Sequence, residues 1–196
     1  MGGRGSSFSE IGKASQNNSS TQNNKNVLQT VYPNATKNVV AFEKGVRNNN
    51  IETLTIFDKN GNILLQNSGT ANRAQANVTT NIADGIFTHN HPTQPGDGRY
   101  GKIGLSFSGD DIYNAIKFNQ AEVRVVTETY TFSMKRPSGG WGVSEKAFTR
   151  EYKQERRRVT NDLNTTKDRA IITREHIIMR NLAKKYGWQY SKKQNK

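Results

Sequence analysis

The sequence predicts an α/β or α+β fold, a mixed sheet with helices packed on it. Three observations carry that prediction. Glu52-Thr53-Leu54-Thr55-Ile56-Phe57 and Ile63-Leu64-Leu65 are apolar or β-branched runs separated by Asp58-Lys59-Asn60-Gly61-Asn62. Asn-Gly between such runs is a strong short-range hairpin signal. Further strand-like runs follow at 82–88, 123–127 and 129–134. After Pro137-Ser138-Gly139-Gly140 the period changes, and apolar residues recur four and seven apart: Phe148, Tyr152, Val159 and Leu163, then Ile171, Ile178, Leu182 and Tyr186. That spacing is helical, and Gly187 is placed to end the last helix.

The elements follow in order. Residues 1–26 are Gly, Ser, Asn and Gln with hardly an apolar side chain, so they read as a flexible tail that buries too little to offset its ordering entropy. Residues 27–46 carry scattered apolar positions and Pro33, consistent with a short strand or helix against the domain. The stretch 68–81 is polar and poorly periodic, a loop or short helix. Residues 82–88 form a buried strand rising to Ile86 and Phe87. Pro92 to Phe107, punctuated by Pro95, Gly96, Gly98, Gly101 and Gly104, is a long loop of the kind that borders functional sites. Ser108 caps the helix that follows, with Ile112, Ala115 and Ile116 on one face. The resulting division is a tail over 1–26, a domain over 27–141 and a basic helical extension over 142–196.

Composition narrows the chemistry. At 196 residues the chain is one domain with extensions, or two small ones. It has no cysteine, which excludes disulfides, thiolate metal sites and cysteine nucleophiles, so a metal must rest on His, Asp or Glu. No apolar run reaches membrane-spanning length and the N-terminus has no signal-like stretch, so a soluble, cytosolically made protein is expected. The formal charge is +13, and residues 143–196 hold fifteen Lys/Arg against six Asp/Glu. Such an excess suits polyanions through counterion release, and equally suits a solvated helix face; Arg156-Arg157-Arg158 lie on the solvated side of their helix.

Two of the three histidines stand one residue apart, in Phe87-Thr88-His89-Asn90-His91-Pro92. Residues i and i+2 of a strand share a face, so both imidazoles can meet one point. The next helix opens with Ser108-Gly109-Asp110-Asp111. Two imidazoles and a carboxylate are a common divalent-metal set, and zinc with an open fourth position is its catalytic form. Each half alone has a plainer reading: Ser-x-x-Asp is a capping box, and a lone His-x-His is an ordinary strand pair. Their conjunction at the end of a buried strand, where chain ends open onto a crevice, favours the metal.

His89-Asn90-His91-Pro92 with Ser108-Gly109-Asp110-Asp111-Ile112 resembles the JAMM (JAB/MPN) metalloprotease-like superfamily, whose motif is Glu, then His-x-His-Pro, then Ser-x-x-Asp. Within it the chain is most similar to RadC-like proteins and to phage- and toxin-associated JAB domains, over about residues 52–141. The resemblance implies a JAB/MPN-like, cytidine-deaminase-like mixed sheet flanked by helices. It implies one Zn2+ per chain on His89, His91 and Asp111, with a water in the fourth position whose pKa the metal lowers toward neutrality. Ser108 would hydrogen-bond the oxyanion. A glutamate upstream would be the general base. Glu52, on the same strand face as Leu54 and Ile56, matches best, with Glu43 the competitor. One departure from the family pattern is the sixteen residues between His91 and Ser108, several more than the compact motif has. His176 lies apart, on a helical pattern, and reads as a surface or packing residue.

The expected function is zinc-dependent hydrolysis of an amide or isopeptide bond in a protein or peptide, by a phage- or prophage-encoded protein in the host cytoplasm or the virion. The rival is a non-enzymatic phage head-associated protein on the same fold. It would touch nucleic acid, capsid or portal through the Arg156–Arg158 and Lys184-Lys185 region. A metal-dependent nuclease is a third reading, with a thinner site than the paired metals usual for phosphodiester cleavage.

Overall fold

The computed structural model describes residues 7–10, 32–71, 73–92, 105–162 and 167–196. Their centre is a mixed sheet of six strands in the order β3-β2-β5-β6-β7-β8. In chain order the elements are β1 (Ser7–Glu10), α1 (Pro33–Val46), β2 (Thr53–Phe57), β3 (Ile63–Ser68), β4 (Gln75–Val78), β5 (Ile86–Asn90), α2 (Gly109–Lys117), β6 (Glu122–Val126), β7 (Tyr130–Lys135), α3 (Glu145–Asp162), α4 (Lys167–Tyr186) and β8 (Gln189–Gln194). The expected α+β class therefore holds, with four helices and a mixed sheet among the described residues.

The β2–β3 hairpin forms where the Asn-Gly signal places it. Asp58 Oδ1 accepts from the Asn60 and Asn62 amides, both at 2.8 Å. Gly61 has φ +89°, and a Cβ there would stand 2.7 Å from Asn38 Nδ2, so no other residue fits without strain. β2 also pairs antiparallel with β5, Leu54 opposite His89. β5 and β6 run parallel, with His89 opposite Val125, and α2 makes the crossover that parallel strands require.

β5 is buried along its whole length because helices cover both faces of the sheet. On one face α1 lays Ala35 and Val39 over Phe57 and Ile86. Pro33 begins this helix rather than breaking it: its fixed φ and missing N–H suit the first helical turn. On the other face Leu54, Ile56, Phe87 and Phe132 pack against Ile112 of α2, Phe148 of α3 and Ile178 of α4.

Three expectations need correction. The chain past residue 141 is not a separate helical extension. Gly187 does end α4, with φ +70°, but the chain then returns as β8, pairing antiparallel with β7. Trp188 donates from its indole to the Trp141 carbonyl at 2.8 Å, and the two rings meet edge to face at 5.1 Å. A boundary at 141/142 would cut one core. β8 escaped notice because Gln-Tyr-Ser-Lys-Lys-Gln has no apolar alternation; an edge strand this exposed is held by its backbone ladder. Residues 75–78, expected in a loop or short helix, form β4, which pairs parallel with β1. Ser7–Glu10 within the expected tail is thus a strand. The rest of that tail, and residues 93–104 of the long loop, lie outside the described residues.

Candidate metal centre

β5 delivers the first histidine and the chain just past it delivers the second. The His91 amide donates to the Val126 carbonyl at 2.9 Å, which extends the β5–β6 pairing one residue and keeps His91 on the face of His89. The His89 ring stacks on Phe87, centroids 5.0 Å apart and planes at 14°. His89 Nε2 stands 3.1 Å from His91 Nε2 and 3.5 Å from Asp111 Oδ1.

Asp111 reaches this point from the first turn of α2, and it serves two partners with two oxygens. Oδ2 accepts from the Ser108 amide at 2.7 Å and the Ser108 hydroxyl at 2.9 Å, while the Asp111 amide donates back to Ser108 Oγ at 3.2 Å. That is the reciprocal capping box. Oδ1 faces His89. The capping and metal readings of Ser-x-x-Asp are therefore compatible: the cap fixes the carboxylate, and the fixed carboxylate presents its other oxygen to the imidazoles.

The spacing suits a metal. Two ligands each about 2.0–2.1 Å from a tetrahedral zinc stand roughly 3.3 Å apart. One candidate atom from each of the three residues fits within a 4.8 Å group. All three side chains are shielded from solvent, with relative exposures of 0%, 1% and 0% for His89, His91 and Asp111. Two imidazole nitrogens and one carboxylate oxygen suit zinc better than hard cations that prefer all-oxygen sites.

Burial pushes the His89 pKa down to about 3, so this imidazole is neutral at ordinary pH and keeps a lone pair to offer. His91 Nδ1 lies 3.0 Å from the Leu105 carbonyl oxygen, which can only accept. This assigns the proton to Nδ1 and leaves Nε2 as the donor atom for a metal, the usual outer support of a ligating histidine. His89 lacks the equivalent support: its Nδ1 is buried without a hydrogen-bond partner among the described residues.

Glu52 and Glu43 are separated by the sheet. Glu52 precedes Leu54 by two residues and Leu54 pairs with His89, so strand alternation places Glu52 on the imidazole face. Glu52 is 1% exposed, and its backbone is held by Thr70 at 2.8 Å and Gly69 at 2.9 Å. Glu43, by contrast, projects from α1 onto the other face, where it accepts from Thr88 Oγ1 at 2.8 Å and from Arg124 Nε and Nη2 at 2.7 and 2.9 Å. Ser108 stands beside Asp111, with its hydroxyl proton directed to that carboxylate.

Sequence reasoning missed the Leu105 carbonyl, since a backbone acceptor leaves no trace in residue type. His176, read as a surface or packing residue, is half-buried and packs on Tyr190, with its Nδ1 2.8 Å from Tyr190 Oη. The basic excess is partly neutralised locally: Arg158 pairs with Glu155 and Asp162, and Lys185 with Glu151. Arg156 and Arg157 remain exposed on α3, as expected.

No protein-family model matches this chain, and no curated protein or solved structure matches it either. No helix among the described residues is long and apolar enough to cross a membrane.

Proposed function

We propose that this protein is a zinc-dependent hydrolase of the JAMM type that cleaves an amide or isopeptide bond in a protein or peptide. The observation that carries the reading is the convergence of His89 Nε2, His91 Nε2 and Asp111 Oδ1 beneath a helix cap, with Glu52 on the same sheet face. His89, His91 and Asp111 would hold the ion. Zinc bound there would act as a Lewis acid, polarising the scissile carbonyl and lowering the pKa of water toward neutrality.

The chain's own residues supply the remaining roles. Glu52 would take a proton from the attacking water and return it to the leaving amine. Its place two residues before Leu54, on the strand face of His89, supports that assignment over Glu43, whose oxygens are occupied by Arg124 and Thr88. Ser108 would donate to the oxyanion, which requires its hydroxyl to turn from Asp111 Oδ2.

The test is metal content followed by turnover on a panel of isopeptide-linked and linear peptides. Glu52→Gln should keep zinc and lose roughly 10²- to 10⁴-fold in rate. Full activity in Glu52→Gln, or a wild-type chain without zinc, overturns the proposal. A second reading, a non-enzymatic nucleic-acid- or capsid-associated protein, draws on exposed Arg156 and Arg157. It expects salt-sensitive DNA binding that Glu52→Gln leaves unchanged.

A further inference from the structure

The third histidine is tied to the candidate centre through a chain of hydrogen bonds that the proposed chemistry does not use. His176 on α4 meets the hydroxyl of Tyr190 on β8 at 2.8 Å, and the same hydroxyl meets Ser106 Oγ at 2.9 Å. Ser106, 1% exposed, follows Leu105, whose carbonyl faces His91 Nδ1 at 3.0 Å. Tyr190 grips the same short segment a second time, its ring meeting Phe107 edge to face at 6.2 Å. One residue further on, Ser108 holds Asp111. The segment 105–108 thus carries the outer partners of two of the three candidate ligands, and Tyr190 holds it by both hydroxyl and ring.

We propose that Tyr190, oriented by His176, is a positioning residue for the metal centre: through Ser106 and Phe107 it fixes the Leu105 carbonyl against His91 and so sets that ring's tautomer. The inference rests on reading His89, His91 and Asp111 as metal ligands, but its first consequence appears without metal. With the Leu105 carbonyl in place, the His91 proton stays on Nδ1 and Nε2 is ready as a ligand. If the segment shifts by a few tenths of an ångström, the bond weakens and the proton can pass to Nε2. That proton must then be displaced before a metal binds. The arrangement also gives the last strand a function. β8 has little core of its own to offer, with five of its six residues exposed, and its one partly buried side chain is Tyr190.

The bland alternative is that these hydrogen bonds only attach β8 and α4 to the loop. It predicts a loss of stability in Tyr190→Phe with no change at His91. Two readouts separate the ideas. In the metal-free full chain, long-range proton–nitrogen NMR should show His91 protonated on Nδ1 in the wild type and divided between tautomers in Tyr190→Phe. In zinc titrations against a competing chelator, Tyr190→Phe should bind about tenfold more weakly, at the low end of what removing an outer partner of a ligating histidine costs. Ser106→Ala should reproduce both changes, and the double variant should add little, since both act through one link. His176→Gln, whose amide can still meet the Tyr190 hydroxyl, should keep wild-type affinity, whereas His176→Ala should fall toward Tyr190→Phe. A folded Tyr190→Phe with an unchanged His91 tautomer and unchanged zinc affinity overturns the proposal. A wild-type chain that takes up no zinc, yet whose His91 tautomer responds to Tyr190→Phe, upholds the positioning link and overturns the metal reading instead.

Discussion

Thr88 and His89 are neighbours in one buried strand, yet their side chains enter two different kinds of polar interior. On the Thr88 face, Arg124 lies between Glu43 and Glu122, Ser133 donates to Glu122 at 2.5 Å, and Thr88 donates to Glu43. Every charge there has an opposite charge in contact. On the His89 face, three buried groups bring ligand atoms within 4.8 Å of one another. The difference separates a network whose charges pair with one another from a cluster whose ligand atoms could hold an ion. Burying polar groups is costly unless they are paired; the first face meets that cost with its own ion pairs, while the second gathers two imidazole nitrogens and a carboxylate oxygen in a set that could take a divalent ion.

Breaking the self-completed face should have the largest effect on stability. Arg124→Ala leaves Glu43 and Glu122 buried without a counter-charge, and should cost about 3–5 kcal/mol in urea unfolding. The protein that remains folded should still take up zinc, because this network lies across the sheet from the imidazoles. Loss of metal in a folded Arg124→Ala would show that the two faces are not independent.

The imidazole face should respond to metal instead. Zinc at a hundredfold excess over its dissociation constant should stabilise the wild type by about 2.7 kcal/mol, read as a rise in Tm that a chelator reverses. His89→Ala should show no such rise. Asp111→Asn should lose both functions of that carboxylate: about 1 kcal/mol of helix-cap stability without metal, and most of the zinc response with it.

The comparison also shows what residue order can convey. His-x-His on a strand and Ser-x-x-Asp at a helix start are local patterns, so each half is legible in residue order, while their meeting at one point depends on how α2 packs on the sheet. The hairpin at Asn60-Gly61 and the helix beginning at Ser108 are legible for the same reason. The choice between Glu52 and Glu43 is not, because it depends on which sheet face α1 covers. A stripe of Ala35, Val39 and Glu43 carries the glutamate beneath α1 to Arg124, 81 residues away in sequence. Likewise β8 and the Tyr190–Ser106 contact, 84 residues apart, depend on where the chain returns after α4. Pattern reading sees periods of two and 3.6 residues. It has no access to a backbone ladder between polar strands.

The smallest effect concerns His176. Burial, followed by the nearby charges of Lys192 and Arg180, holds its pKa below the ordinary 6.5, and Tyr190 is its hydrogen-bonding neighbour. The folded chain therefore binds fewer protons at this ring than the unfolded chain. Its contribution to stability is fully present above the ordinary value and is lost as the pH falls through it toward the lower folded-state value. Denaturant unfolding from about pH 7 to about pH 5 should show the wild type losing stability relative to His176→Gln, which has no such titration. A constant difference across that range would mean that the ring is not shielded as described.

The proposed function requires that the His89 face hold an ion. Its most direct test is the metal content of the intact protein purified under zinc-replete conditions, measured by mass spectrometry alongside His89→Ala. One zinc per chain is expected in the wild type and none in the variant. A wild-type protein free of metal, or zinc retained by folded His89→Ala, would contradict it.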